Sequence, residues 1–249
     1  MKRLPLSAMA AACALLLVGV ESQRTYAQAP GCALDPKEFA ALQNLNQESP
    51  DAVREELAIR KTLLTKVLDC LDAEVGAERA ELNRTSVSDP RMGAARNNLI
   101  VGLEDAARYY QTERERVTNA GLRAAKDVAA AIRDWRANTF LPQQARVHTF
   151  ISWTRNAEFL AVASRRLEEL ERSVQLLALI DRDDIQSLFA DAEGNFHAAE
   201  DFHARAQREL VNGLDPSSSM KLSLEALSRA YASFIELSKL INTLLPRGK

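Results

Sequence analysis

Apolar residues recur at intervals of three, four or seven along this chain, from residue 57 to residue 244. Such intervals place side chains on one face of an α-helix, so the pattern predicts helices that pack through heptad-like seams. Gly and Pro are scarce, with 9 and 8 in 249 residues. That scarcity is typical of long helices, and 47% apolar residues are enough to bury a core. The sequence therefore predicts an all-α protein.

Helix-start signals divide the pattern into about six helices. An Asp or Ser stands before a Pro at the predicted starts near residues 36, 50, 90 and 216, which suits a helix N-terminus. Asp181-Arg182-Asp183-Asp184 supplies cap candidates for the fifth helix, and Gly213 is expected to stop it. The predicted helices cover about 36–46, 50–84, 90–137, 142–180, 185–213 and 216–244.

The seams predict which residues face inward. Charged residues interrupt them at Lys61, Glu78 and Glu113, which is expected to select a register or a partner. The fourth seam extends to Leu177, and the last begins at Leu224. The seam of the third helix comprises Leu99, Leu103, Ala106, Tyr110, Val117, Ala120, Ala124, Val128, Ala131 and Trp135.

These helices predict an elongated molecule. Several of them would have 35 to 45 residues, or about 50 to 70 Å at 1.5 Å per residue. Short polar connectors make successive helices turn back on one another, so we expect an antiparallel bundle or coiled-coil hairpins. The expectation is one domain over residues 28–249, with a soft boundary near 181–184.

The N-terminus has the form of a secretory signal peptide. Lys2 and Arg3 precede an apolar run from Ala8 to Val20, and small residues follow around Ala27. This run is shorter than the roughly 20 residues that cross a bilayer, so we predict cleavage after Ala27. The mature protein is then periplasmic, extracellular or attached to the cell surface, with no transmembrane segment.

Charge argues against nucleic acid as a partner. Residues 28–249 carry 29 basic and 33 acidic side chains, a net charge of about −4 at neutral pH. Charges of both signs alternate along the helices, as they do on solvated helix faces. A protein partner, or self-association through helix faces, is the expectation that remains.

Cys32 and Cys70 are predicted to form a disulfide. Both belong to the mature chain, and an even pair in an oxidising compartment is first interpreted as a bond. The path from Pro50 along the second helix to Cys70 covers about 30 Å, and the path back to Cys32 covers a similar distance. Buried free thiols or an intermolecular bond are the alternatives.

The segment around His197, Glu200 and His203 is the weak candidate for a metal site. Glu200 and His203 match the Glu-x-x-His step of di-iron helical bundles. Such a site needs the step twice, but Ala145 and Gly194 stand three residues before the other two histidines. His197 and His203 also lie about 120° from one face. We therefore predict ordinary surface or boundary histidines and no bound cofactor.

Four aromatic residues are the candidates for a binding tip: Trp135, Phe140, Phe150 and Trp153. They straddle the predicted connector between the third and fourth helices. They could form a recognition tip or an apolar pocket, or they could fill the end of a helical hairpin.

No motif supports catalysis: the chain has no haem-attachment motif, phosphate-binding glycine loop or nucleophile elbow. The leading hypothesis is a non-catalytic, exported binding or scaffolding element of the cell envelope. One alternative is a ligand-binding or sensory bundle with an apolar pocket near Trp135 to Trp153. Another is a metal-carboxylate protein that uses His197, Glu200 and His203.

Overall fold

The structure, a computed structural model, describes residues 51–179 and 181–244. Helix accounts for 91% of these residues, which contain no strand, so the predicted all-α class is confirmed. The predicted helix at 36–46 lies outside the described residues. The observed elements are α1 (Ala52–Arg84), α2 (Pro90–Asn119), α3 (Leu122–Trp135), a π-helical turn (Arg136–Phe140), α4 (Leu141–Leu176), α5 (Asp183–Val211) and α6 (Ser217–Leu244).

The third predicted helix is wrong in its limits. The chain leaves the helix at Ala120 and Gly121, between α2 and α3, and glycine is a poor helix former. The expected connector before Pro142 is instead continuous helix from α3 to α4. Proline has no N–H for the α-helical bond, and a π-helical turn, in which Leu141 N–H donates to the Arg136 carbonyl, absorbs the irregularity just before it.

This interruption also shifts the buried face of α3. Ala125 and Ile132 are buried, whereas the predicted seam residue Ala124 is exposed and Ala131 is only half-buried. A seam extrapolated across residues 120 and 121 assumes an unbroken helical rotation. Because the helix restarts at Leu122, two inward positions move by one residue, whereas Val128 is buried as predicted.

Helix lengths also differ from the prediction. The α-helices have 14 to 36 residues, and α4 is the only one within the described ranges that reaches the expected 35 to 45. The described residues separate into two compact units. The first contains residues 51–77 and Ala107–Asp134, and the second contains Glu78–Ala106 with residues 135–179 and 181–244.

In the first unit, α1 and α2 run antiparallel. Lys61 Nζ donates to the Thr118 carbonyl at 2.8 Å, and Arg114 Nη2 contacts Asp69 at 2.7 Å and Asp72 at 2.8 Å. Lys61 therefore has a partner at its seam position. The buried apolar residues of this unit include Leu63, Leu68, Leu71, Val75, Tyr110, Val117, Ala125, Val128 and Ile132.

In the second unit, α4, α5 and α6 pack on one another. Hydrogen bonds from Ser223 to Ala199 and from Arg229 to Asn195 show that α5 and α6 run antiparallel. Ridges of small and large apolar side chains fill the space between the three helices. Their shared core is Leu160, Ala163, Leu170, Val174, Ile185, Ala192, Phe196, Ala199, Ala226, Leu227, Ala230, Phe234, Leu237 and Ile241.

Two leucines predicted to face inward are exposed. Leu177 is 38% exposed because it is the C-cap of α4, beyond the last regular turn. Leu224 is 37% exposed because the adjacent Ser223 occupies the inward position on α6.

The Asp-Pro starts of α2 and α6 are confirmed. Asp89 Oδ1 accepts from Arg91 N–H at 2.8 Å, and Asp215 Oδ1 accepts from Ser217 N–H at 3.0 Å. These bonds satisfy N–H groups that have no partner within the helix.

The predicted cap of α5 is different. Arg182 occupies the N-cap without a side-chain hydrogen bond, while Asp183 and Asp184 lie in the first turn. Their carboxylates are favourable at that position because the helix dipole is positive there.

Helices α4 and α5 end in the same backbone motif. Leu179 N–H donates to the Val174 carbonyl at 3.0 Å, and Leu214 N–H donates to the Glu209 carbonyl at 2.8 Å. The residue before each donor has a positive φ, 53° at Ala178 and 72° at Gly213. Gly213 therefore stops α5 as predicted.

Candidate functional site

The four aromatic candidates lie along the continuous helical run from α3 to α4. Trp135 stacks on Phe140 with ring centroids 6.4 Å apart, and Phe150 lies 6.1 Å from Trp153. Phe140 and Phe150 are fully buried, and Trp153 is nearly so. The expected connector between them does not exist. This arrangement favours the interpretation that Phe140, Phe150 and Trp153 fill the core, whereas Trp135 is half-buried.

His197 and His203 have different surroundings on α5. His197 is exposed, with Nδ1 3.0 Å from Glu200 and Nε2 3.8 Å from Glu193. His203 stacks on Trp153, with centroids 4.9 Å apart and planes inclined by 7°. In the described ranges, no group of three or more His, Cys, Asp and Glu side chains is arranged to hold a metal ion.

Trp153, Asn156, His203 and Ser223 form a buried polar cluster that the sequence interpretation missed. Asn156 Nδ2 donates to Ser223 Oγ at 2.8 Å and to His203 Nδ1 at 3.3 Å. Ser223 Oγ donates to the Ala199 carbonyl at 2.7 Å, and Trp153 Nε1 donates to the His203 carbonyl at 3.3 Å. The polar cluster therefore joins α4, α5 and α6.

A helical pattern could have indicated this cluster. Asn156 lies three residues after Trp153 and four before Leu160, so it continues the inward stripe of α4. Ser223 similarly lies four residues before Leu227. A helical pattern built from apolar residues alone leaves out Asn156 and Ser223. A polar residue at an inward position is a signal for a buried hydrogen bond.

The electrostatics of the polar cluster favour a neutral histidine. Burial lowers the pKa of His203 from 6.5 to about 4. Because Nδ1 accepts from Asn156, the neutral ring carries its proton on Nε2. Asn156 Oδ1 is buried and has no hydrogen-bond partner among the residues that the structure describes.

The polar cluster offers no reactive nucleophile. Ser223 is fully buried, and its hydroxyl proton is directed to the Ala199 carbonyl. His203 accepts from an amide and is therefore not placed to activate that hydroxyl. The arrangement is suited to fixing three helices in one register.

A second polar contact lies nearer the start of α4. Glu78 occupies a predicted seam position and accepts from Gln144 Nε2 at 3.0 Å. Glu78 Oε1 also lies 2.6 Å from His148 Nε2. The carboxylate of Glu78, which interrupts the seam, is therefore hydrogen-bonded. The other two charged seam residues also have partners: Lys61 bonds the Thr118 carbonyl, and Glu113 pairs with Arg116 at 2.8 Å.

The opposite side of α4 carries residues at heptad spacing that are exposed except for the half-buried Arg166, and we name them the outer stripe. Its two large apolar residues, Phe159 and Val162, are 43% and 46% exposed. Arg155 begins the stripe and bonds Glu81 at 2.7 Å. The outer stripe consists of Arg155, Glu158, Phe159, Val162, Arg165, Arg166 and Glu169.

A shallow groove of about 420 Å³ lies between the C-terminal halves of α4 and α6. Its arginines are already paired: Arg166 contacts Glu169 at 3.0 Å, and Arg172 contacts Glu168 at 3.2 Å. The groove therefore presents little unbalanced charge to a ligand.

Cys70 is half-buried on α1. Its predicted partner, Cys32, lies outside the described residues, so the disulfide stays a prediction. Within the described part of the chain, no helix is both long enough and apolar enough to cross a membrane.

Comparisons with protein-family models, with curated proteins and with solved structures find no match to this chain.

Proposed function

We propose that this chain is a non-catalytic exported protein that acts as a binding or scaffolding element of the cell envelope. The observation that carries the proposal is the outer stripe of α4. Phe159 and Val162 are exposed side by side there, although the other side of the same helix is fully packed. Neighbouring apolar side chains within a charged rim resemble the composition of protein–protein interfaces.

The proposal includes export and form. Residues 1–27 act as the signal peptide, and residues 28–249 form the mature protein. The helix at 36–46 and the described helices, with the continuous run of α3 and α4 counted as one, make about six that build an elongated antiparallel arrangement. A bond between Cys32 and Cys70 ties the first helix to α1 in the oxidising compartment.

The outer stripe suits a modest interface. Fully burying a large apolar side chain contributes about 1.5 to 3 kcal/mol, so two such residues support association without making it permanent. The charged neighbours remain at the rim, where they give orientation more than affinity. A scaffolding element that assembles reversibly needs this balance.

Site-specific photocrosslinking in living cells tests the proposal. A photoreactive phenylalanine analogue replaces Phe159 in the full-length chain, and the envelope and cytoplasmic fractions are separated after irradiation. We expect crosslinked adducts in the envelope fraction. The matched control carries the analogue at Gln175, which is exposed on α4 but lies outside the outer stripe.

Two results would reject the proposed function. One is a protein that keeps residues 1–27 and remains in the cytoplasm. The other is an exported protein that gives the same adducts from position 159 and position 175.

A further inference from the structure

We infer that the outer stripe of α4 binds a second copy of this chain, in an antiparallel helix pair centred on Val162. The inference rests on the proposed function and names the partner for the same surface. The order of charges along the stripe is complementary to itself in this arrangement.

Charges on the outer stripe are arranged symmetrically about Val162. Arg155 lies seven residues before Val162, and Glu169 lies seven residues after it. Glu158 lies four residues before, and Arg166 lies four residues after. When two copies of a helix are antiparallel, each of these residues faces its oppositely charged counterpart. The contact therefore has four ion pairs, two of each kind.

The centre of the stripe is also self-complementary. Val162 meets Val162 of the second copy on the twofold axis. Phe159 lies three residues before Val162 and Arg165 three residues after it, so the phenyl ring faces a guanidinium of the second copy. Aromatic rings and cations attract one another at such positions.

The same sequence disfavours the parallel arrangement. A parallel pair would place Arg155 against Arg155, Glu158 against Glu158 and Glu169 against Glu169. Like charges that face each other across an interface are repulsive and select against that geometry. The outer stripe thus specifies the antiparallel orientation of the two helices as well as the partner.

The stripe is accessible for this contact. The side chains of Arg155 and Glu169 are 63% and 62% exposed, respectively. The ion pair of Arg155 with Glu81 lies at the surface and can exchange partners at little energetic cost. Arg166 is half-buried and its Nη2 also donates to Ser238 Oγ on α6 at 3.4 Å, so its contact with a second copy replaces that bond as well as the pair with Glu169. The residues from 155 to 169 extend over about 21 Å at 1.5 Å per residue, so the interface is small and the dimer weak.

Disulfide trapping tests the twofold axis directly. A residue on the axis meets its own copy, so Val162→Cys should form a covalent dimer under mild oxidation. Disulfide formation needs Cβ atoms about 3.5 to 4.5 Å apart. In the antiparallel pair, Gln175→Cys would lie about 39 Å from its counterpart at 1.5 Å per residue. We expect at least about tenfold more dimer from Val162→Cys than from Gln175→Cys or the unaltered chain, since only the first can meet that geometry.

Charge reversal tests the direction of the pair. Sedimentation equilibrium at about 0.1 to 1 mM protein, the range of a weak dimer, compares the unaltered chain with two variants. Glu158→Arg should weaken the dimer at least about tenfold because the new arginine faces Arg166 of the second copy. Adding Arg166→Glu, which again places opposite charges at this pair, should restore much of the association. Circular dichroism checks that each variant is folded.

The inference is overturned if the unaltered chain is monomeric over this range and Val162→Cys gives no excess of trapped dimer. A dimer that is insensitive to Glu158→Arg uses another face and also overturns it. If photocrosslinking at position 159 captures a different envelope protein while the chain stays monomeric, the second copy is rejected and the proposed function stands.

Discussion

The inner and outer sides of α4 contain similar residue types in different surroundings. Phe150 is fully buried on the inner side, while Phe159 is 43% exposed nine residues later. Asn156 is buried among three helices, whereas Arg155, its neighbour in sequence, pairs with Glu81 at the surface. The same helix therefore has apolar side chains exposed to solvent on one side and polar side chains buried on the other.

Stability therefore depends on the inner side of α4, and recognition on the outer side. Inner residues have neighbours on every side, so any change in their size or polarity should lower the free energy of unfolding. Outer residues contact mainly solvent, so the same change should alter association and leave folding intact. Helix composition alone does not distinguish the two roles, because both sides contain aromatic and polar residues.

The largest expected difference is between two phenylalanines. We expect Phe150→Ala to lower the free energy of unfolding by about 3 to 5 kcal/mol, because it leaves a cavity in the core. Phe159→Ala should change it by about 0.5 kcal/mol or less, as exposed substitutions do. Urea unfolding followed by circular dichroism measures both. Equal losses for the two variants would show that Phe159 is part of a core.

A smaller difference is expected between polar residues on the two sides. Asn156→Ala should cost about 2 kcal/mol, because His203 loses its donor and the space beside Ser223 is emptied. Gln175→Ala, on the exposed surface, should stay within about 0.5 kcal/mol of the unaltered chain. The same urea titration measures both, and a neutral Asn156→Ala would mean that the polar cluster does not hold the helices.

Acid should affect the inner side selectively. The pKa of His203 is about 4 in the folded protein and 6.5 ordinarily, because burial disfavours the imidazolium. Above pH 6.5 both states are neutral. As the pH falls from 6.5 to 4, the unfolded chain binds a proton that the folded chain does not, so stability is lost. Partial exposure of the ring reduces the effect to about 1 to 2 kcal/mol.

Urea unfolding between pH 7.5 and pH 4 measures this loss. His203→Gln should flatten the dependence in that window, while Gln175→Ala, which removes no titratable group and lies at an exposed position, should leave it unchanged. A flat profile for the unaltered chain would contradict the assigned environment of His203.

The smallest expected effect is at the end of α4, where Leu176 is exposed and Leu179 packs against the core. Ala178 between them has a φ of 53°, which glycine adopts without strain. We expect Ala178→Gly to raise the free energy of unfolding by about 0.5 kcal/mol, a net gain after the entropy that glycine adds to the unfolded chain.

The matching substitution Gly213→Ala should lower stability by about 1 kcal/mol. Its new Cβ would also lie 3.4 Å from Arg146 Nη2. Thermal unfolding detects both changes, and a shift of the same sign in the two variants would refute the shared motif.

The helical class and most helix ends could be predicted from the amino-acid sequence. Asp89-Pro90, Asp215-Pro216 and Gly213 act through hydrogen bonds and φ angles within a few residues of themselves. Local chemistry of this kind is readable without knowing the rest of the fold. For the candidate site, the sequence marked His203 and Trp153 but not their connection.

Which residues face inward where helices meet depends on tertiary contacts. Hydropathy favours Leu224 over Ser223, yet Ser223 is buried because Ala199 and Asn156 provide its hydrogen bonds from other helices. The π-helical turn before Pro142 likewise keeps α3 and α4 continuous where local propensity predicts a break. Burial and register depend on partners distant in sequence, and a pattern along one helix does not contain them.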